Sequence, residues 1–157
     1  MSNDTFVYVT YIATTPAKLW QALLEGEITR QYWDNHQNVS ASGWKEGDEW
    51  QHVAPADAGS CPTDPGAGTV RITGKVLEFV PEKRLALTWA RPDKAHDEAM
   101  VTRVVIDIET VGDSVQLTVT HDKLYPEMRK GITWGWPRVL ASMKSYLETG
   151  RVLKVYV

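Results

Sequence analysis

Cysteine is almost missing from this chain. Of 157 residues only Cys61 carries a thiol, so no internal disulfide can form and a stapled extracellular scaffold is excluded. A lone cysteine fits a reducing compartment, and a cytoplasmic location is the expectation. No run of 18 apolar residues occurs, and the start MSNDTF lacks the basic, apolar and cleavage regions of an export signal, so neither membrane insertion nor export is expected. Basic excess is missing too. The net charge of −3 offers no field to hold a phosphate backbone, which removes nucleic acid from the expected partners. There is no His-x-His, no His-Glu-x-x-His and no cysteine pair, so no metal site is expected. Gly66-Ala67-Gly68 is followed by neither a lysine nor a helix, and Gly112-Asp113-Ser114 lacks a nucleophile-elbow frame. No cofactor is called for. Cys61 lies in a Gly/Pro-rich stretch with nothing nearby to depress its pKa, and is expected to be a spectator.

What is present is apolar and aromatic. Hydrophobic residues make up 43% and charged residues 24%, enough for one substantial core, and a single domain over residues 1–157 is expected. Seven tryptophans stand out in so short a chain. Phe6 to Ile12 has the β-branched and aromatic composition of a strand. Thr15 then offers an N-cap and Pro16 a first helical residue, and Leu19, Trp20, Leu23 and Leu24 recur at helical spacing. After Gly26, the residues Ile28, Tyr32 and Trp33 extend as a second short helix. Turn residues then divide the middle into strands at Asn38 to Ser42, Glu49 to Val53, Thr69 to Phe79, Leu85 to Trp89, Met100 to Glu109 and Ser114 to His121. Residues 54–68 form a long exposed loop between two of them. Residues 131–150 are an amphipathic helix stopped by Gly150, with Trp136, Leu140, Met143 and Leu147 on one stripe and Lys144 and Glu148 in solvent. Pro137 predicts a bend or restart near Trp134 to Pro137, leaving a helix of about 20 Å from Pro137 to Thr149.

These pieces together resemble a known family. The proline-started Leu-Trp-x-Ala-Leu helix, the following Tyr-Trp, Gly-x-Val-Leu-Glu-Phe at Gly74 to Phe79, Leu-x-Leu-x-Trp at Leu85 to Trp89 and Gly-Trp-Pro-x-Val-Leu at Gly135 to Leu140 resemble the START-like (SRPBCC) superfamily. Within it they are most similar to the branch named after homologues of the heat-shock-protein ATPase activator. The resemblance runs from Phe6 to Gly150. It implies an α+β helix-grip fold, in which a curved antiparallel sheet of about seven strands wraps a long C-terminal helix, with two short helices after the first strand. The superfamily contains lipid carriers, hormone receptors, cyclases and allergens, so the resemblance implies an enclosed cavity more firmly than any one activity.

Strand alternation then selects the side chains that face such a cavity. Val115, Leu117, Val119 and His121 share one face; Val104, Ile106 and Ile108, and Leu85, Leu87 and Trp89, are the inward sets of their strands. Around Trp50 the same parity turns His52 inward. The expected cavity residues are Trp33, Trp50, His52, Trp89, His121, Trp136, Leu140 and Met143. Core packing and ligand contact suit the four tryptophans equally. A histidine at a strand end ordinarily packs with one nitrogen on a carbonyl, but its pKa near 6.5 also permits acid–base work. Trp20 is expected in the core, and Trp44 and Trp134 at a rim or an oligomer contact. The expected partner is a small hydrophobic or amphipathic molecule with a flat or aliphatic body and one polar or acidic head. Two other classes stay open: a cyclase or dehydratase using His52, His121 or Tyr125, and a protein-interaction domain. The apolar tail Arg151 to Val157 predicts a short edge strand or cover for a partner copy, and a homodimer is expected.

Overall fold

The computed structural model describes residues 4–55 and 69–155; Cys61, most of the expected 54–68 loop and the last two tail residues fall outside that range. Its seven strands form one antiparallel sheet: β1 Phe6–Ile12, β2 Gln37–Val39, β3 Glu49–Ala54, β4 Thr69–Val80, β5 Arg84–Trp89, β6 Thr102–Val111 and β7 Ser114–Asp122. They lie side by side in the order β1-β7-β6-β5-β4-β3-β2. Helices α1 Pro16–Leu24 and α2 Gly26–Tyr32 follow β1, and α3 Pro126–Thr149 closes the fold as the gripped helix.

The helix boundaries follow from capping. The Thr15 side chain accepts the Lys18 N–H at 3.2 Å ahead of Pro16. Gly150, at φ 80°, ends α3 in the left-handed conformation that favours glycine. The far end of α3 is latched to the β1–α1 connection. Glu148 accepts the Ala13 N–H and a Lys144 ammonium proton, each at 2.8 Å, while Lys144 also donates to the Tyr11 carbonyl. Both charged side chains remain in contact with solvent, as expected, Glu148 exposed and Lys144 partly so, while they form this latch.

Three expectations need correction. The gripped helix begins at Pro126, eleven residues before Pro137, and is continuous through it. Pro126 is itself at the favoured first helical position. Pro137 removes only the bond to the Thr133 carbonyl, and Thr133 is exposed, so water can take that acceptor. Second, Trp44 is not at a rim: it is buried and stacks on Trp50, ring centroids 6.1 Å apart. Its backbone is in the left-handed region, at φ 70°, and its N–H is held by Ser40 Oγ at 3.2 Å. Third, the described part of the tail forms no strand. Ser142 Oγ donates to the Leu153 carbonyl and accepts its N–H, and Ser145 Oγ donates to the Arg151 carbonyl, so the tail runs back along α3.

Side-chain alternation delivers the core. Val115, Leu117 and Val119 of β7 and Val104 of β6 are fully buried against Leu19, Val139 and Met143 from the helices. Trp20 packs on Phe79 with ring centroids 5.5 Å apart. Trp50 on β3 reaches over its cross-strand neighbour Gly74 on β4 to donate its indole N–H to the Thr88 carbonyl on β5 at 2.9 Å. A bare glycine there is what lets the ring cross the strand.

Candidate functional site

The concave face carries an aromatic cluster drawn from four elements and the turn after α2. Trp89 on β5 lies 5.4 Å from both Trp50 on β3 and Trp136 on α3. Trp33, the residue that closes α2, lies 5.8 Å from Trp136 and 4.6 Å from His52. The histidines face inward as alternation requires, but the protein itself occupies their nitrogens.

His121 is the middle of a directed chain. Thr102 Oγ1 donates to the Trp89 carbonyl at 2.7 Å, so it must accept from His121 Nε2–H, 2.8 Å away. His121 Nδ1 then accepts the Trp136 indole N–H at 3.1 Å. The imidazole is neutral with both nitrogens used, and burial pushes its pKa down to about 3. His52 is similarly held. Its Nδ1–H donates to Asn38 Oδ1 at 2.7 Å, and its Nε2 accepts from His36 Nδ1–H at 3.0 Å. Burial, then the neighbouring His36 and Arg71, lower its pKa to about 3. His36 is itself lowered, chiefly by burial, with Asp34 opposing and Arg71 reinforcing the shift. Of these three imidazoles, only His36 keeps a nitrogen, Nε2, with no hydrogen bond among the described residues. Tyr125 is shifted upward by burial first, so its phenol stays protonated near neutrality.

Between sheet and helix the enclosed space is only about 20 Å³, room for about one water. Trp50 and Leu140 face it, together with Trp33, Trp89 and Trp136. The usable volume opens to the side, where a cleft of about 240 Å³ lies between the middle of α3 and strands β3 and β4. Trp33, His52, Trp89 and Trp136 wall this cleft, as do Ile72 and, on α3, Gly131, Ile132, Trp134, Gly135 and Val139. A side chain added at Gly131 or Gly135 would meet nothing within 4 Å, so the two glycines leave that stretch of helix bare. Trp134, half exposed, stands at the cleft with the Arg138 guanidinium 4.3 Å from its ring centre. Trp89, which borders both spaces, has a buried indole N–H without a hydrogen-bond partner among the described residues. An unmet donor of that kind costs about 1–3 kcal/mol.

The expected site residues thus divide. Trp33, His52, Trp89 and Trp136 converge on the cleft; Trp50 and Leu140 line the inner space alone. His121 and Met143 are fully buried and line neither, His121 packing edge-on against Trp89. Ile72, Ile132, Val139, the two glycines and His36 were not anticipated. Gly131 and Gly135 carried a signal, since glycines four apart on a helix share a face. A larger depression of about 390 Å³ lies between α1 and the end of α3, but Lys18, Gln21, Tyr146 and Leu147 line it, with no member of the tryptophan–histidine cluster. Among the described residues, no group of three His, Cys, Asp or Glu side chains could hold a metal ion. No described helix is long and apolar enough to cross a membrane.

A sequence profile of the activator of Hsp90 ATPase homolog 1-like proteins matches residues 13–148. The chain belongs to that family. Among curated proteins none matches it. Of the solved structures that resemble this activator-homologue fold, the Aha1 dimer of Colwellia psychrerythraea is 21% identical, with TM-score 0.70, covering 93% of this chain and 97% of its own. An HSP90 activator from Plasmodium falciparum is 14% identical, with TM-score 0.70 and coverages of 92% and 96%. CalU16 from Micromonospora echinospora is 14% identical, with TM-score 0.67 and coverages of 93% and 77%. At such identities the likeness speaks for the helix-grip fold.

Proposed function

We propose that this protein binds a small hydrophobic or amphipathic molecule in the side cleft beneath the middle of α3. The observation that carries the reading is an open 240 Å³ space lined by four tryptophans and by the bare glycine backbone of α3. Aromatic walls with a few polar groups are what small-molecule sites ordinarily present. Binding is favoured over a cyclase or dehydratase reaction because His52 and His121 are neutral and have both nitrogens engaged, which leaves them no free base function. A cytoplasmic location is part of this reading, on the strength of the single cysteine.

Tryptophan emission should therefore be quenched saturably by a flat aromatic probe such as 2-naphthol. Gly135→Leu, which fills the cleft from a position with open space above it, should weaken that binding at least about tenfold while melting is unchanged or raised, since leucine has the better helix propensity. Wild-type protein that shows no saturable quenching would dispose of the reading.

We further propose a homodimer. On β1, at the end of the sheet, Val7, Val9 and Tyr11 point outward and are 55%, 45% and 48% exposed, an apolar row suited to a self-complementary contact. The Colwellia neighbour is described as a dimer. Light scattering should give twice the chain mass at micromolar concentration, and Val9→Lys should return it to one; a monomer at high concentration refutes the contact.

A further inference from the structure

Two polar side chains outside the cleft lining adjoin its wall residues: Arg71 is the chain neighbour of Ile72, and His36 is hydrogen-bonded to His52 at 3.0 Å. β3 and β4 slip register between His52 and Val53: His52 pairs with Ile72 and Val53 with Val70, leaving Arg71 as the extra residue of a bulge. Bulges re-aim side chains and often stand beside sites. Arg71 follows in sequence directly before Ile72, a wall of the cleft, and among the described residues it makes no ion pair. Its charge is nevertheless felt by both imidazoles of the His36–His52 pair. The other charge near His36 is Asp34 in its own turn; the residues that α3 contributes to the wall are not ionisable.

We infer that Arg71 and His36 form an anion seat at the mouth of the cleft, so that its ligand is an aromatic or aliphatic carboxylic acid with the body against the tryptophans and the carboxylate at Arg71. This rests on the cleft-binding reading above. The chemistry is consistent at each atom. His36 Nδ1–H is committed to His52 Nε2, and His36 Nε2 is free, so protonating His36 adds one N–H donor without breaking an existing bond. The guanidinium supplies a second, bidentate donor set matched to a carboxylate. In the free protein burial and Arg71 hold the His36 pKa below its ordinary 6.5; a bound carboxylate offsets both and raises it. Binding therefore takes up a proton. Affinity for an ionised acid rises as pH falls through the bound-state pKa of His36 and levels off below its free-state pKa.

The test compares 2-naphthoate with 2-naphthamide, which share a body and differ in charge, by calorimetric titration of the intact protein between about pH 8 and pH 5.5. Naphthoate should bind roughly tenfold tighter or more, the size expected of a hydrogen bond to a charged group. Its affinity should increase toward acid while that of naphthamide stays level. Arg71→Gln should abolish the preference and leave naphthamide affinity intact, and His36→Gln should remove the pH dependence. Equal binding of the two probes to the wild type, or a preference that survives Arg71→Gln, overturns the anion seat while leaving the cleft standing, provided Gly135→Leu still blocks both. If neither probe binds, the cleft reading fails and the anion seat with it.

Discussion

Gly74→Ala should unfold this protein, or lower its stability by at least about 3 kcal/mol. A Cβ built on Gly74 would overlap the Thr88 carbonyl oxygen and sit 2.6 Å from both the Thr88 carbonyl carbon and Trp50 Nε1. Two of these three obstacles are backbone atoms of the neighbouring strand, so no rotamer change relieves them. Either β5 shifts or Trp50 withdraws. Withdrawal breaks the indole bond to Thr88 and disturbs Trp44 and Trp89, both packed on the Trp50 ring. Overpacking typically costs about 1–3 kcal/mol, and an orphaned buried donor adds about as much. Gly131→Ala is the matching control, because its Cβ meets open space and alanine has the better helix propensity; it should be neutral or stabilising. Urea unfolding of the two variants decides the matter. A Gly74→Ala protein within about 1 kcal/mol of wild type would show that the Trp50 crossing is not tight.

Acid should destabilise the fold steeply, well above the pH at which carboxylates titrate. His52 and His121 are held neutral with pKa values of about 3, whereas in the unfolded chain they return to about 6.5. Below pH 6.5 the unfolded chain binds protons that the folded chain refuses. The stability these residues contribute is thus complete above pH 6.5 and is lost as pH falls toward 3. Each unit of pH in that window costs about 1.4 kcal/mol per buried neutral imidazole, so the pair accounts for roughly 4 kcal/mol at pH 5. That is a large share of the stability of an ordinary domain. His36, lowered in the same direction, adds to the trend. Urea midpoints at pH 7.5 and pH 5 measure the effect directly. His52→Gln, whose amide can still donate to Asn38 and accept from His36, should reduce the slope by about half. Stability that is flat across this range would mean that the imidazoles are not enclosed as described.

Much of the architecture was legible because short-range rules suffice for it. Period-two alternation put Leu85, Leu87, Trp89, Val104, Ile106, Ile108 and His121 on the concave face, and they are buried there. Thr15-Pro16 and Gly150 marked helix ends through local backbone chemistry alone. Pro137 misled for the same reason. A proline's local cost argued for a break, whereas the packing of Trp136, Val139 and Leu140 on the sheet keeps the helix whole across it.

The sequence by itself determined which strand side chains look inward, where α1 starts and α3 stops, and that aromatic residues would crowd the concave face. Tertiary structure alone decided what those side chains can do. Whether His121 is a free base or a satisfied core residue depends on Thr102 and Trp136, which come from different elements 19 and 15 residues away. His52 depends in the same way on Asn38 and His36. The position of the open space depends on how tightly Trp44 and Trp50 fill the inner chamber, and the placement of Arg71 on a one-residue slip between two strands. Hydrogen-bond satisfaction, void volume and register are properties of several segments at once. Local composition does not encode them, and at this site they settle which groups remain available to a ligand.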